Sequence, residues 1–92
     1  MFTRSQIYTI SFVNNYVNQG ILKEKNIYQL LGARIKDIRE SKGMTQLDVA
    51  SICNYDKTTV SRIEAGRTNI TVKTLQNLSI ALGVPMKDLV DI

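Results

Sequence analysis

The hydrophobic and polar positions of the chain first form a regular pattern after residue 26. Apolar residues recur there at spacings of four and three, at Leu31, Ile35 and Ile38. Such spacings place side chains on one face of an α-helix, so the segment is predicted to form an amphipathic helix. Asn26 and Gln29 have the spacing of a capping box at its start, and Gly43 is predicted to end it.

Four more helices are predicted downstream. Three of them begin at residues whose side-chain oxygen can cap a helix: Thr45, Asp56 and Thr71. Their predicted inward positions are Val49, Ala50 and Cys53, then Val60 and Ile63, then Leu75, Leu78 and Leu82. Gly83 ends the fourth helix, and Pro85 starts a fifth that runs from Met86 to about Ile92. The pattern predicts an all-α fold, a compact bundle of five helices with short connections.

The first 26 residues have a different pattern and are predicted to be an extension, residues 1–26, before a domain at residues 27–92. Tyr8, Ile10 and Phe12 alternate as in a strand, whereas Val13 and Val17 have helical spacing, so periodicity leaves the structure open. Residues 7–17 are either a flexible leader or an arm that covers apolar surface. Their many large apolar side chains favour an arm that covers apolar surface on its own body or on a second subunit, and they are also a candidate site for a protein partner.

Composition narrows the classes of function. Twelve Lys and Arg against eight Asp and Glu give a net charge of +4, which favours polyanionic partners. The chain has one cysteine, Cys53, and no histidine, so we expect no internal disulfide, no zinc site and no cofactor. No carboxylates form a convincing acid–base pair, and we predict that the chain is not an enzyme. No export signal or apolar run of membrane-spanning length is present, which predicts a cytoplasmic protein without a membrane partner.

The motif that carries a function lies at about residues 45–65, where two short helices flank a tight turn. Its elements are Thr45-Gln46, Ala50, Asn54, Val60-Ser61-Arg62-Ile63-Glu64 and Gly66. Two short helices in this arrangement form a helix-turn-helix. In this register, residues 28–92 resemble the Cro/CI-type, phage-repressor-like (XRE-like) family of DNA-binding proteins. Asn54 stands where that family usually has glycine, and Ile70 where many relatives have proline.

The resemblance implies that the second helix of the motif enters the major groove of double-stranded DNA. Its first, second and sixth residues, Lys57, Thr58 and Arg62, would then face base edges. Contacts to the DNA backbone are expected from Gln46, Thr59, Ser61, Arg67, Thr68, Asn69 and Lys73. Outside such a motif, charges on a helix most often form a solvated surface, which is the alternative interpretation of Lys57 and Arg62.

Two further expectations come from the same resemblance. Arg39 and Glu64 are expected to form a structural ion pair between the first helix and the end of the third. The chain is expected to form a homodimer through residues near its fourth and fifth helices. The candidate interface residues are Val84, Met86, Val90 and Ile92, which could instead complete the core of the monomer.

The resemblance predicts a sequence-specific transcriptional regulator, a dimeric repressor acting at an inverted-repeat operator. The loop at residues 67–75 is similar to that of restriction–modification controller proteins, which is one alternative. An antitoxin-type autoregulator that uses residues 7–17 to bind a toxin is another. A function of a different class is a protein-interaction adaptor that bridges transcription factors, for which Arg62 would be dispensable.

Overall fold

The computed structural model describes residues 26–92, which fold into five α-helices. Their bounds are α1 Ile27–Ser41, α2 Gln46–Cys53, α3 Lys57–Glu64, α4 Val72–Leu82 and α5 Met86–Leu89. No β-strand occurs within residues 26–92. The predicted all-α, five-helix fold is therefore confirmed. The expectations for the extension, including an arm at residues 7–17, fall outside the described residues.

Local capping explains where three of the helices begin. Asn26 and Gln29 form a reciprocal capping box, with bonds of 2.9 and 3.1 Å. Thr45 forms a second box with Asp48, and Thr71 accepts a bond from the amide of Thr74. Each cap satisfies first-turn amides that have no partner within the helix. These predicted starts are confirmed.

Asp56 differs from the other predicted caps. It occupies the position before α3 with extended backbone angles like those of Thr45, but its side chain makes no capping hydrogen bond. The prediction of the position was right and that of the side-chain bond was wrong. The carboxylate therefore lies before the positive end of the helix dipole without a capping bond.

The fifth helix is shorter than predicted, because it ends at Leu89 instead of about Ile92. In a longer helix, the carbonyl of Asp88 would accept a bond from the amide of Ile92. That carbonyl instead accepts a 2.8 Å bond from Nε of Arg34 in α1. A side chain from a distant helix thus bonds the carbonyl that another helical turn would use.

One core lies between the helices, and the predicted inward residues supply most of it. The buried cluster comprises Ile35, Ile38, Val49, Ala50, Val60, Ile63, Leu78, Ala81, Leu82 and Leu89. Leu75 and Cys53, which were also predicted to face inward, are half-buried and pack against this cluster. Leu89 is fully buried, so α5 closes one end of the core.

Two backbone features set the position of α3. Asn54 adopts the left-handed conformation, with φ 59° and ψ 43°, so it performs the role of the glycine usual at this turn. At Gly32 of α1, an added Cβ would lie inside van der Waals contact of the Ile63 carbonyl and 2.6 Å from the Glu64 carbonyl oxygen. Helix α1 therefore crosses the end of α3 with backbone against backbone.

Candidate nucleic-acid interface

Helix α3 has one apolar and one polar face. Val60 and Ile63 are buried in the core, which turns the opposite face of the helix toward solvent. That exposed face consists of Lys57, Thr58, Ser61 and Arg62. The same two apolar side chains that anchor the helix therefore determine which polar side chains it presents.

The exposed face of α3 forms part of a surface depression of about 300 Å³. The residues that line it are Gln46, Lys57, Thr58, Ser61, Arg62 and Arg67. All three residues expected to face bases are present, together with three of those expected to contact the DNA backbone. The other four do not line it: Thr59 and Thr68 are half-buried, while Asn69 and Lys73 are exposed.

The depression is electropositive. Lys57, Arg62 and Arg67 supply three positive charges, and no carboxylate of the described residues belongs to the lining set. All three cations are exposed, so each can exchange water for an anionic or hydrogen-bond-accepting partner. The arrangement suits phosphate oxygens and the O6 and N7 acceptors of guanine.

Beneath this surface, Arg39 and Glu64 form the ion pair that the resemblance implies. Nε of Arg39 lies 2.6 Å from Oε2 of Glu64, and Nη2 lies 3.0 Å from Oε1. The third nitrogen, Nη1, donates to the carbonyl of Met44 at 2.7 Å. The hydrogen bond from Glu64 raises the pKa of Arg39, although burial opposes this shift. The pair joins α1, the loop before α2 and the end of α3.

Several contacts could not be found from the sequence. Nε2 of Gln46 donates a 3.0 Å bond to Oε1 of Glu64, so Gln46 belongs both to the buried pair and to the depression. Asn77 joins α4 to the turn, because it donates to the hydroxyl of Tyr55 at 2.8 Å while its carbonyl accepts from the thiol of Cys53. The residues concerned are 18 to 24 positions apart, so no local periodicity signals these contacts.

The candidate dimer residues differ in exposure. Val90 is exposed, whereas Val84, Met86 and Ile92 are half-buried, and Val84 packs against the core. Ile80 on α4 was not among the candidates, yet it is 69% exposed. Its position on the outer face of α4 follows from the inward register of Leu78 and Leu82, which could have identified it. The dimer interface remains a prediction.

No helix in residues 26–92 is long and apolar enough to cross a membrane. Within the same part of the chain, no group of three or more Cys, Asp or Glu side chains is placed to hold a metal ion.

Comparison with known proteins finds one family and several relatives. The helix-turn-helix family model matches residues 35–89. Control protein C.BamHI of Bacillus amyloliquefaciens is 40% identical over 67 residues, which are 72% of this chain and 83% of that protein. The uncharacterized HTH-type transcriptional regulator y4dJ of Sinorhizobium fredii is 39% identical, over 67% of this chain and 80% of that protein.

Among solved structures, the restriction-modification controller protein C.AhdI of Aeromonas hydrophila is similar, with a TM-score of 0.66 and 26% sequence identity. The match covers 67% of this chain and 94% of that one. Almost the whole of that controller therefore has a counterpart in this chain.

Proposed function

This chain belongs to the helix-turn-helix family and is a sequence-specific DNA-binding regulator, and from that premise we propose that it acts as a dimeric controller of the restriction–modification type. The similarity to C.BamHI and C.AhdI, over most of the length of each, favours this role over that of a simple repressor. The same similarity leads us to expect action on DNA in the cytoplasm and no catalytic activity.

The reading surface proposed for this chain is the exposed face of α3. Lys57, Thr58 and Arg62 would face base edges in the major groove, with Gln46 and Arg67 flanking them on the backbone. The observation that supports this assignment is that all five line one electropositive depression. Contacts from Thr59, Ser61, Thr68, Asn69 and Lys73 to the backbone remain predictions.

A single domain of this size contacts only a few base pairs, so useful specificity requires a second copy. We propose a two-fold dimer on an inverted repeat, with half-sites about one helical turn apart. The proposed interface combines Val84, Met86, Val90 and Ile92 with Ile80. The exposure of Ile80 and Val90, at 69% and 47%, supports this choice, because burying both in an interface would remove apolar surface from water.

Selection of bound sites from random duplex DNA by the full chain tests the proposal. An inverted repeat among the enriched sequences is the expected result. Enrichment of a single, unrepeated site would contradict the dimer. No enrichment at all would contradict sequence-specific reading by this surface and favour the adaptor.

Two arginine variants then separate base reading from backbone binding. Arg62→Ala should cost about 1 to 3 kcal/mol on the preferred site and relax preference at one base pair. Arg67→Ala, the matched control on the same surface, should weaken all sequences equally and lower the slope of log K against log salt by about 1. Titration of duplexes carrying single substitutions, at two salt concentrations, measures both effects. If Arg62→Ala left every preference intact, the proposed reading surface would be wrong.

A further inference from the structure

The two ends of α3 are held in different ways. At its far end, the backbone of Glu64 lies against Gly32 of α1, and the Glu64 side chain is bonded to Arg39. At its start, Asp56 makes no capping bond with its side chain. The turn that precedes the helix therefore has a larger part in fixing this end.

That turn is bonded by one residue of α4 on both sides of Asn54. Nδ2 of Asn77 donates to the hydroxyl of Tyr55 at 2.8 Å, and the backbone carbonyl of Asn77 accepts from the thiol of Cys53 at 3.6 Å. Among residues 26–92, Asn54 is the only residue other than glycine with a positive φ. We call Cys53, Tyr55 and Asn77 the turn cluster, and all three are half-buried.

The bond from Asn77 restricts the direction of the Tyr55 side chain more than packing does. Apolar contact is non-directional, whereas a hydrogen bond weakens steeply as its angle departs from linear. The Tyr55 side chain packs against the core, and the bond to its hydroxyl fixes the tip of the ring to α4. Lys57 follows Tyr55 by only two residues, so the direction in which α3 leaves the turn depends on where Tyr55 is held.

This direction matters for the residues proposed to read bases. A recognition helix contacts base edges with its N-terminal residues. Lys57 and Thr58 are the first two residues of α3, and Arg62 lies about 7 Å further along the helix, toward the end that α1 holds. A small rotation about that end would therefore displace Lys57 and Thr58 more than Arg62.

We propose that Asn77 is a positioning residue for DNA reading. Through the hydroxyl of Tyr55 it sets the direction in which α3 begins, and thereby the base preference of Lys57 and Thr58. The inference rests on the proposed role of Lys57 and Thr58 in base reading. It extends the reading machinery to α4, a helix that supplies none of the residues lining the depression.

The first test uses the free protein and does not depend on DNA. The backbone amides of Thr59 and Val60 donate to the carbonyl of Asp56 at 3.0 and 3.4 Å, so their hydrogen exchange in the full chain reports on the first turn of α3. Tyr55→Phe keeps the ring and removes only the hydroxyl. It should speed exchange at these two amides by about two- to tenfold relative to the amide of Ala65 at the other end. Unchanged relative rates would overturn the proposal, whatever residues read the DNA.

The second test measures base preference in titrations of duplexes that carry single substitutions. Lys57→Ala and Thr58→Ala first identify the base pairs that the start of α3 reads. Tyr55→Phe and Asn77→Leu should each lower discrimination at those base pairs by about two- to tenfold, and by less at the one identified with Arg62→Ala. The double variant should lose no more than either single one, because both changes break the same bond.

A matched control separates positioning from stability. Asn26→Ala removes the side-chain cap of α1, which lowers the stability of the domain without altering the turn cluster. This variant should keep every base preference when binding is measured below its unfolding temperature. Losses of the same size at every base pair in Tyr55→Phe, or a uniform loss of affinity, would show that the bond only stabilises the fold.

The remaining results also decide between the proposals. Losses that add in the double variant would show that Tyr55 and Asn77 act independently, which contradicts the proposal. If Asn77→Leu does not fold, Tyr55→Phe decides alone. If Lys57→Ala and Thr58→Ala changed no preference, the proposed reading surface would be rejected, and with it the role of Asn77 in reading. Faster exchange in Tyr55→Phe would still show that the bond holds the start of α3.

Discussion

Glu64 is almost completely removed from solvent, and its charge is tolerated there because three hydrogen-bond donors are directed at it. Two come from Arg39 and one from Gln46. Removing a carboxylate from water without partners costs several kcal/mol, and a good geometry repays most of that cost. Replacing both residues by apolar side chains should therefore change the free energy of unfolding little. Removing only one partner should lower it strongly, because the other charge is then buried alone.

This dependence predicts the effect of removing one partner on folding. Arg39→Met should lower the free energy of unfolding by about 3 to 5 kcal/mol, because it leaves the Glu64 carboxylate buried and uncompensated. The double variant Arg39→Met, Glu64→Met should recover most of the loss. Urea unfolding at neutral pH measures both, with the exposed Arg67→Met as the control. If Arg39→Met lowered the free energy of unfolding by less than about 1 kcal/mol, the pair would behave like one exposed to solvent and the prediction would be wrong.

Cys53 gives a prediction about pH. Burial raises the pKa of its thiol, and the thiolate is the form that reacts with alkylating agents. Iodoacetamide should therefore modify the folded protein more slowly than the urea-unfolded protein, with its rate profile displaced to higher pH. Since the pKa of the folded thiol is the higher one, the contribution of Cys53 to the free energy of unfolding is fully present below the pKa of the unfolded thiol. This contribution is lost as the pH rises through the pKa of the folded thiol. Equal rates in both states would contradict this.

At the scale of helices, the features that could be predicted were the local ones. The caps at Asn26, Thr45 and Thr71 depend on residues three positions apart, and the apolar registers repeat within one or two turns. The early end of α5 has no such local signal, and the bond that Arg34 makes there to the carbonyl of Asp88 spans 54 residues. In the candidate site, the motif placed Lys57, Thr58 and Arg62 on one surface, as the structure shows. The bond between Gln46 and Glu64 joins two helices and leaves no pattern in either.

The crossing of α1 and α3 at Gly32 can be tested directly. Replacing glycine by alanine inside a helix normally stabilises it by about 1 kcal/mol. Here the added Cβ would collide with the backbone of Ile63 and Glu64, so Gly32→Ala should instead destabilise the domain by about 1 to 3 kcal/mol. Thermal unfolding measures the change, and the exposed helical substitution Ser51→Ala should have little effect. A more stable Gly32→Ala variant would show that the two helices can separate without cost.

For the whole molecule, the proposed reading surface and the two exposed apolar residues proposed for pairing, Ile80 and Val90, belong to different parts of the fold. The depression is built on α2, α3 and Arg67 of the loop after α3. Ile80 belongs to α4, and Val90 directly follows α5. Because no residue belongs to both sets, the proposed pairing through Ile80 and Val90 uses none of the residues proposed to contact DNA.

The proposed pairing predicts an assembly defect. Ile80→Glu combined with Val90→Glu should convert the dimer into a monomer, because charged residues would then face each other across an apolar interface. Light scattering of the full chain measures the mass. The affinity for an inverted-repeat duplex should fall when the dimer is lost. Val72→Glu is the matched control, since Val72 lies on the same helix as Ile80 and is 73% exposed. A double variant that stayed dimeric would place the interface elsewhere.

The division of α3 into a buried and an exposed side has a consequence for how such a protein changes its target. The buried side chains of Val60 and Ile63 and the backbone contact at Gly32 hold α3 in position. Lys57, Thr58 and Arg62 lie on its exposed face. Exchange of those three residues should retarget the protein to another operator while leaving its melting temperature nearly unchanged. Descendants of one ancestral domain could thereby diverge in the promoters they govern through a handful of codon changes.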